Sequence, residues 1–198
     1  MRTEQNTVAL IGVVLSTREV QDINGAPFTG YKMELGIKRK SGVIDELIVM
    51  AEGEAQGNGD TALVIGKVQA QKNFNSGHTL IYCMAEEVRA IEAKHWEYEN
   101  DVKIIGEIGK GTTHRITPKG KEIADVFLKV DNVLYNSQTY IPCVMWQENA
   151  ERVQSCAQGD KVEVTGRLQS RTYVKVLPDG TAEERTAYEV SVKELNIL

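Results

Sequence analysis

The sequence has few of the residues that announce a function most directly. Aromatics make up 6% of 198 residues, and there are 3 cysteines and 4 prolines. Cys83, Cys143 and Cys156 are odd in number and form no CxxC pair, which argues against a disulfide framework or zinc site and fits a reducing compartment. Positive charge is not in excess: 23 Lys+Arg against 28 Asp+Glu give a net charge of -5. That balance counts against a partner held by bulk positive charge, such as duplex DNA or an anionic membrane, and leaves room for a local basic stripe. No run approaches the roughly 18 apolar residues of a membrane helix. VALIGVVL at 8–15 is preceded by Glu4 and followed by no small-residue cleavage site, so it does not read as a signal peptide. A soluble, cytoplasmic protein is expected.

Catalytic and metal-binding patterns are missing as well. His78, His95 and His114 lie in separate segments and share no ligand spacing. GEIGKGT at 106–112 lacks the spacing of a phosphate loop and follows a strand pattern without opening a helix. No Ser/His/Asp or Cys/His arrangement stands out, and the parity of Cys143 is that of a core residue. Neither an enzyme, nor a metal, nor a cofactor is expected.

What the sequence does contain is itself, twice. VALIG at 8–12 is echoed by VKIIG at 102–106, IVM at 48–50 by CVM at 143–145, GDTALVIGKVQ at 59–69 by GDKVEVTGRLQ at 159–169, and EEVRAI at 86–91 by KELNIL at 193–198. The order is kept while the offset grows from 94 to 107, as two diverged copies with different loops require. One domain is placed at 1–93 and a second at 99–198, joined by a short charged stretch.

Within the second copy the period is two, the mark of half-buried strands. Val162, Val164, Gly166 and Leu168 share one face, as do Ala124, Val126, Leu128 and Val130, and Ile141, Cys143 and Met145. The opposite faces carry Arg167, Arg171 and Tyr173, then Phe127 and Lys129, then Tyr140, Pro142, Val144 and Trp146. QENAERVQSCAQ at 147–158 has helix-forming composition and ends at Gly159. An all-β chain of two tandem five-stranded Greek-key barrels of the OB type is predicted, with one short helix between strands 3 and 4 of the second. The shorter loop of the first copy predicts a short helix there or none.

The second copy resembles the single-stranded DNA-binding protein (SSB) family of bacteria and their phages. The resemblance rests on VKIIGEIGKGTTHRITPKGKEIADVFLKVDN at 102–132, YIPCVMWQENAE at 140–151, GDKVEVTGRLQSRTY at 159–173 and AYEVSVKEL at 187–195. It implies an OB barrel that stacks bases on aromatics and meets phosphates with basic side chains, a chemistry that ignores sequence. Family stacking positions fall on Tyr140, Trp146 and Tyr173, and basic positions on or near Arg115, Arg167 and Arg171, with Lys129 and Lys121 as additional phosphate contacts. Single-stranded DNA is the implied partner, in replication, recombination or repair. Family members usually carry an acidic tail beyond the barrel, whereas this sequence stops at Leu198, so recruitment by such a tail is not expected.

The first copy differs at the corresponding face. Matching IVM to CVM puts Asp45, Leu47, Val49 and Ala51 where the second copy has Tyr140, Pro142, Val144 and Trp146, and Leu63 and Ile65 answer Glu163 and Thr165. An exposed aliphatic face built from Leu47, Val49, Leu63 and Ile65 predicts an oligomer interface, most simply a homodimer presenting four barrels. Phe74, Tyr31, Lys67 and Lys72 are candidates for a secondary nucleic-acid surface. The alternative is a tandem-barrel interaction scaffold of a replication or phage complex with only residual strand binding.

Overall fold

A computed structural model of the chain describes residues 5–73, 75, 77–92 and 99–198. Phe74 and residues 93–98 of the connector lie outside the described residues. The first barrel is built from β1 (Gln5–Ile23), β2 (Ala26–Lys38), β3 (Ile44–Ala51), β4 (Thr61–Lys72) and β5 (Thr79–Ala90). They close in the order β1-β2-β3-β5-β4-β1, with β3 and β5 parallel and the other pairs antiparallel. The second barrel comprises β6 (Glu99–Ile108), a short β7 (Thr113–Ile116), β8 (Glu122–Asn132), β9 (Ser137–Trp146), α1 (Glu148–Val153), β10 (Lys161–Val176) and β11 (Ala182–Ile197). Its closure β6-β8-β9-β11-β10-β6 repeats that of the first. Both follow the OB strand order, and β7 is an addition on the outer edge of β8.

Alternation places the cores as the sequence predicts for the second barrel. Val162, Val164 and Leu168 join Ala124, Val126, Leu128, Val130, Ile141, Cys143 and Met145 inside. The six-residue α1 closes the barrel end with Ala150 and Val153 buried. In the first barrel the corresponding loop, 52–60, contains no helix.

The repeated Val-x-Gly has a steric cause. β4 and β10 each cross a bulge, at Ile65/Gly66 and Thr165/Gly166. A Cβ on Gly66 would stand 2.2 Å from the Met84 carbonyl oxygen, and one on Gly166 2.2 Å from that of Ser191. Gly166→Ala is expected to destabilise the protein by about 1–3 kcal/mol, because the bulge must widen to admit the methyl group. A shift of the urea unfolding midpoint at unchanged slope checks this.

The barrels meet about a pseudo-two-fold axis. β1 pairs antiparallel with β6, and Val8 lies opposite Val102, its own counterpart in the repeat. Asn6 and Asn100 mark the relation: each side chain makes two hydrogen bonds to the backbone of its own barrel's fourth strand, at Val68 (2.7 and 2.9 Å) and at Leu168 (2.6 and 2.8 Å).

Cross-strand pairing corrects one part of the repeat alignment. Val49 of β3 meets Cys83 of β5, and Cys143 of β9 meets Val190 of β11. Val49 thus stands where Cys143 stands, and the match of IVM to CVM is one residue out. A one-residue slip exchanges the two faces of a strand. Leu47 and Val49, assigned above to an exposed interface, are instead fully buried inside the first barrel with Ala51.

Candidate nucleic-acid interface

Residues directly opposite in a sheet share a face, so the pairings assemble the outer surface of the second barrel. Phe127 lies opposite Pro142 and Lys129 opposite Tyr140 across β8 and β9. Val144 lies opposite Ser191 of β11, which in turn faces Arg167 of β10. Arg171 and Tyr173 follow along β10 opposite Ala187 and Arg185. Arg115 of β7 faces Ile123, which pairs with Trp146. One curved surface therefore carries Tyr140, Trp146, Tyr173, Arg115, Lys129, Arg167 and Arg171. Lys121 lies off the sheet, in the β7–β8 turn, where its backbone N–H donates to the Thr117 hydroxyl.

Tyr140 is 51% exposed and Tyr173 37%, with the Arg171 guanidinium 5.6 Å from the Tyr173 ring centre. Trp146 is half-buried, and its indole Nε1–H donates to Ser191 Oγ at 3.0 Å, which fixes the ring against β11. Phe127, 42% exposed, belongs to the same surface. Its outward parity was readable in the sequence.

The cations on this surface differ in their surroundings. Arg115 makes a two-point contact with Asp125 at 2.6 and 3.1 Å, and this partner raises its pKa. Lys129 pairs with Glu107, whose carboxyl is held low by that hydrogen bond. Arg171 lies 3.7 Å from Glu189. Arg167 donates from Nη2 to Gln169 Oε1 at 2.8 Å, while its Nε is buried without a hydrogen-bond partner. Burial lowers its pKa, and the positive charge of Arg39 lowers it further. Carboxylates thus face the first three cations, whereas Arg167 keeps one buried donor without a partner.

The surface opens into a groove between the barrels, of about 1080 Å³. Phe127, Tyr140, Tyr173 and Tyr188 line it from the second barrel, and Lys72 and His78 from the first. Tyr188 was not singled out in the sequence.

Among the described residues, the first barrel offers no matching surface. Tyr31, a sequence candidate for strand binding, is 2% exposed and points into the core beside Met33 and Leu35. Its parity on β2 matches the inward residues. Outside the barrel wall, Ile48, Met50, Tyr82 and Met84 form a second apolar cluster with Ile23 and Phe28 of the β1–β2 hairpin. These outer positions, which correspond to the aromatic face of the other barrel, are sealed by the chain's own hairpin. The hairpin tip is a positive-φ Asn24-Gly25 turn, as suits a two-residue hairpin. The Asn24 amide donates to the carbonyls of Gln71 (2.6 Å) and His78 (2.9 Å), and the Tyr135 hydroxyl of the second barrel donates to the Pro27 carbonyl at 3.1 Å. Lys67 is paired with Glu86 at 2.9 Å. Of the aliphatic positions, Leu63 is half-buried and Ile65 is 36% exposed, on the outer face of β4 opposite Ile11 and Ala9 of β1.

Residues 99–198 match the model of the Single-strand binding protein family. The chain is 32% identical over 80 residues to the Single-stranded DNA-binding protein B of Bacillus subtilis (strain 168), a match covering 37% of this chain and 71% of that protein. It is 27% identical over 107 residues to a Single-stranded DNA-binding protein of Mycolicibacterium smegmatis, covering 49% of this chain and 62% of the relative. Over its whole length the fold is similar to the wild-type single-stranded DNA binding protein from Thermus aquaticus, with a TM-score of 0.75, 18% identity and 94% of that chain covered.

Proposed function

The chain belongs to the single-strand binding protein family, and we propose that it binds single-stranded DNA without regard to sequence, holding and protecting it during replication, recombination or repair. It acts by binding and not by catalysis. The observation that carries this reading is the single surface of the second barrel on which four aromatics, Phe127 among them, and four cations converge. Trp146, Tyr140 and Tyr173 stack bases; Arg167, Arg171 and Arg115 meet phosphates, with Lys129 and Lys121 contributing less. Every base has a π-face and every phosphate the same charge, so such a surface selects single strands and not sequences.

The test is anisotropy of labelled oligo-dT against a duplex of equal length across a salt series. Strand-selective binding that weakens with salt, as release of counterions from contacted phosphates requires, supports the reading. Equal affinity for strand and duplex would contradict it.

We also propose that two chains associate through the outer face of β1 and β4, where Ala9, Ile11, Leu63 and Ile65 leave an apolar patch ringed by charges, so that the dimer presents four barrels. Light scattering at micromolar concentration is expected to give twice the 22.0 kDa chain mass. A monomer would remove the proposal.

A further inference from the structure

Beside Trp146 lies a hollow of about 510 Å³, and its walls come from both barrels. The second barrel contributes Trp146, Arg167, Arg171 and Tyr188 among others; the first contributes Arg39, Val43, Ile44 and one carboxylate, Glu46, around the β2–β3 turn. Val43 is 51% and Ile44 54% exposed. A solvated turn has no need of two adjacent β-branched apolar residues. The pseudo-two-fold relation sharpens the point: the repeat places Ser137 and Gln138 where Val43 and Ile44 stand, and Glu52 where Trp146 stands. The equivalent β8–β9 turn carries an aliphatic pair of its own, Val133 and Leu134, but Leu134 packs on the apolar cluster beneath the hairpin, whereas the pair Val43 and Ile44 borders a hollow that holds a tryptophan.

The turn is held in place before any ligand arrives. Arg39 N–H donates to the Val43 carbonyl at 2.7 Å and Gly42 N–H to the Arg39 carbonyl at 2.9 Å. Asp45, fully buried, accepts from Arg39 Nε at 2.6 Å and from the Ser170 N–H of β10 at 2.9 Å, while Glu46 N–H donates to Ser170 Oγ at 3.0 Å. These contacts tie the first residues of β3 to the strand that carries Arg167 and Arg171. Three guanidiniums, those of Arg39, Arg167 and Arg171, border the hollow, and the buried Arg167 Nε has no partner. The hollow therefore combines an apolar, partly aromatic wall with a cluster of guanidiniums, of which Arg39 and Arg171 have carboxylate partners and Arg167 has none, the chemistry of a base and its phosphate. Its size falls within the range of about 300–1,000 Å³ for small-ligand pockets.

We propose that the first barrel, whose own outer face is closed, takes part in strand binding through its β2–β3 turn: Val43 and Ile44 cover a nucleobase stacked on Trp146, and Arg167 receives the adjoining phosphate. The proposal rests on the single-strand reading above and adds a composite pocket spanning the two barrels. Its consequence is that the isolated face of the second barrel is an incomplete site.

A double-mutant cycle on the full chain tests it, with oligo-dT anisotropy for wild type, Val43→Ser/Ile44→Ser, Trp146→Ala and the combination. The turn variant is expected to bind about tenfold more weakly, the size of effect that removing partial apolar cover produces. Its melting temperature should be unchanged, because both side chains are exposed. The combined variant should bind no more than about twofold more weakly than Trp146→Ala alone, because contacting residues are not additive. Wild-type affinity in the turn variant, or losses that multiply in the combination, overturns the composite pocket while leaving the strand-binding reading intact. Absence of strand-selective binding by the wild type overturns both.

Discussion

Replacing Trp146 by alanine is expected to weaken oligo-dT binding by about 1–3 kcal/mol, roughly 5- to 150-fold, the range measured when a stacking aromatic is truncated. Two contributions are removed together. The ring is the largest aromatic platform on the second barrel's surface, and its indole N–H holds Ser191, which lies opposite Arg167. Trp146→Phe separates them, since it keeps a stacking face and loses the hydrogen bond. If stacking carries the effect, the phenylalanine variant recovers most of the affinity. If both variants lose equally, orientation of the neighbouring β11 and β10 side chains is the cause. The barrel survives either change, because the core residues Ile141, Cys143 and Met145 lie on the other face of β9. An unchanged urea midpoint verifies that the loss is one of binding.

The second large effect concerns stability. Asp45→Ala is expected to cost about 3–5 kcal/mol of unfolding free energy, the usual result of removing one partner from a buried ion pair. Asp45 has no exposed surface, and its carboxylate accepts from Arg39 and from the backbone of Ser170. Alanine leaves the guanidinium and an amide unsatisfied at the junction of the barrels. Asp45→Asn keeps an acceptor for Ser170 and should cost less. A change within about 0.5 kcal/mol for Asp45→Ala, the ordinary range of surface substitutions, would mean that Arg39 finds water and that the junction is held by β1–β6 pairing alone. The repeat counterpart of Asp45 is Thr139, which donates to the Ala70 carbonyl at 2.8 Å. The same position thus braces both sides of the molecule, by a charge on one and a hydroxyl on the other.

The second barrel was legible in the sequence because its surface strands alternate. Tyr140 and Pro142 set against Ile141 and Cys143 fix which face is inward, and Ala124 to Val130 do the same for β8. β3 gives no such signal: Leu47, Ile48, Val49 and Met50 are all buried, half of them in the barrel and half beneath the hairpin. A strand covered on both faces reads as a continuous apolar run, and its register cannot be taken from periodicity. Aligning Val49-Met50 with Val144-Met145 was therefore as good as the correct alignment by composition, yet turned Leu47 and Val49 outward. Ile65 and Leu63 were placed on the outer face because β4 is anchored by its glycine. Tyr31 shares the parity of Met33 and Leu35 on β2 and so faces the core.

The junction was scarcely legible. Arg39, Val43, Ile44, Asp45 and Ser170 come together only because β1 pairs with β6, and no local pattern announces pairing between two copies of a repeat. The matching asparagines did carry a trace of it: Asn6 and Asn100 stand two residues before Val8 and Val102, the pair through which the pseudo-axis passes.

The central claim is that the barrels are unequal, one offering its aromatic face and the other closed by its own hairpin and contributing a turn. Hydrogen exchange with and without saturating oligo-dT tests it most directly. Protection is expected in β9 and β10 around Trp146 and Arg167 to Tyr173, and in the turn 39–44, with exchange over the hairpin tip 22–28 unchanged. Protection of that hairpin and of β3, with none around Trp146, would contradict the account.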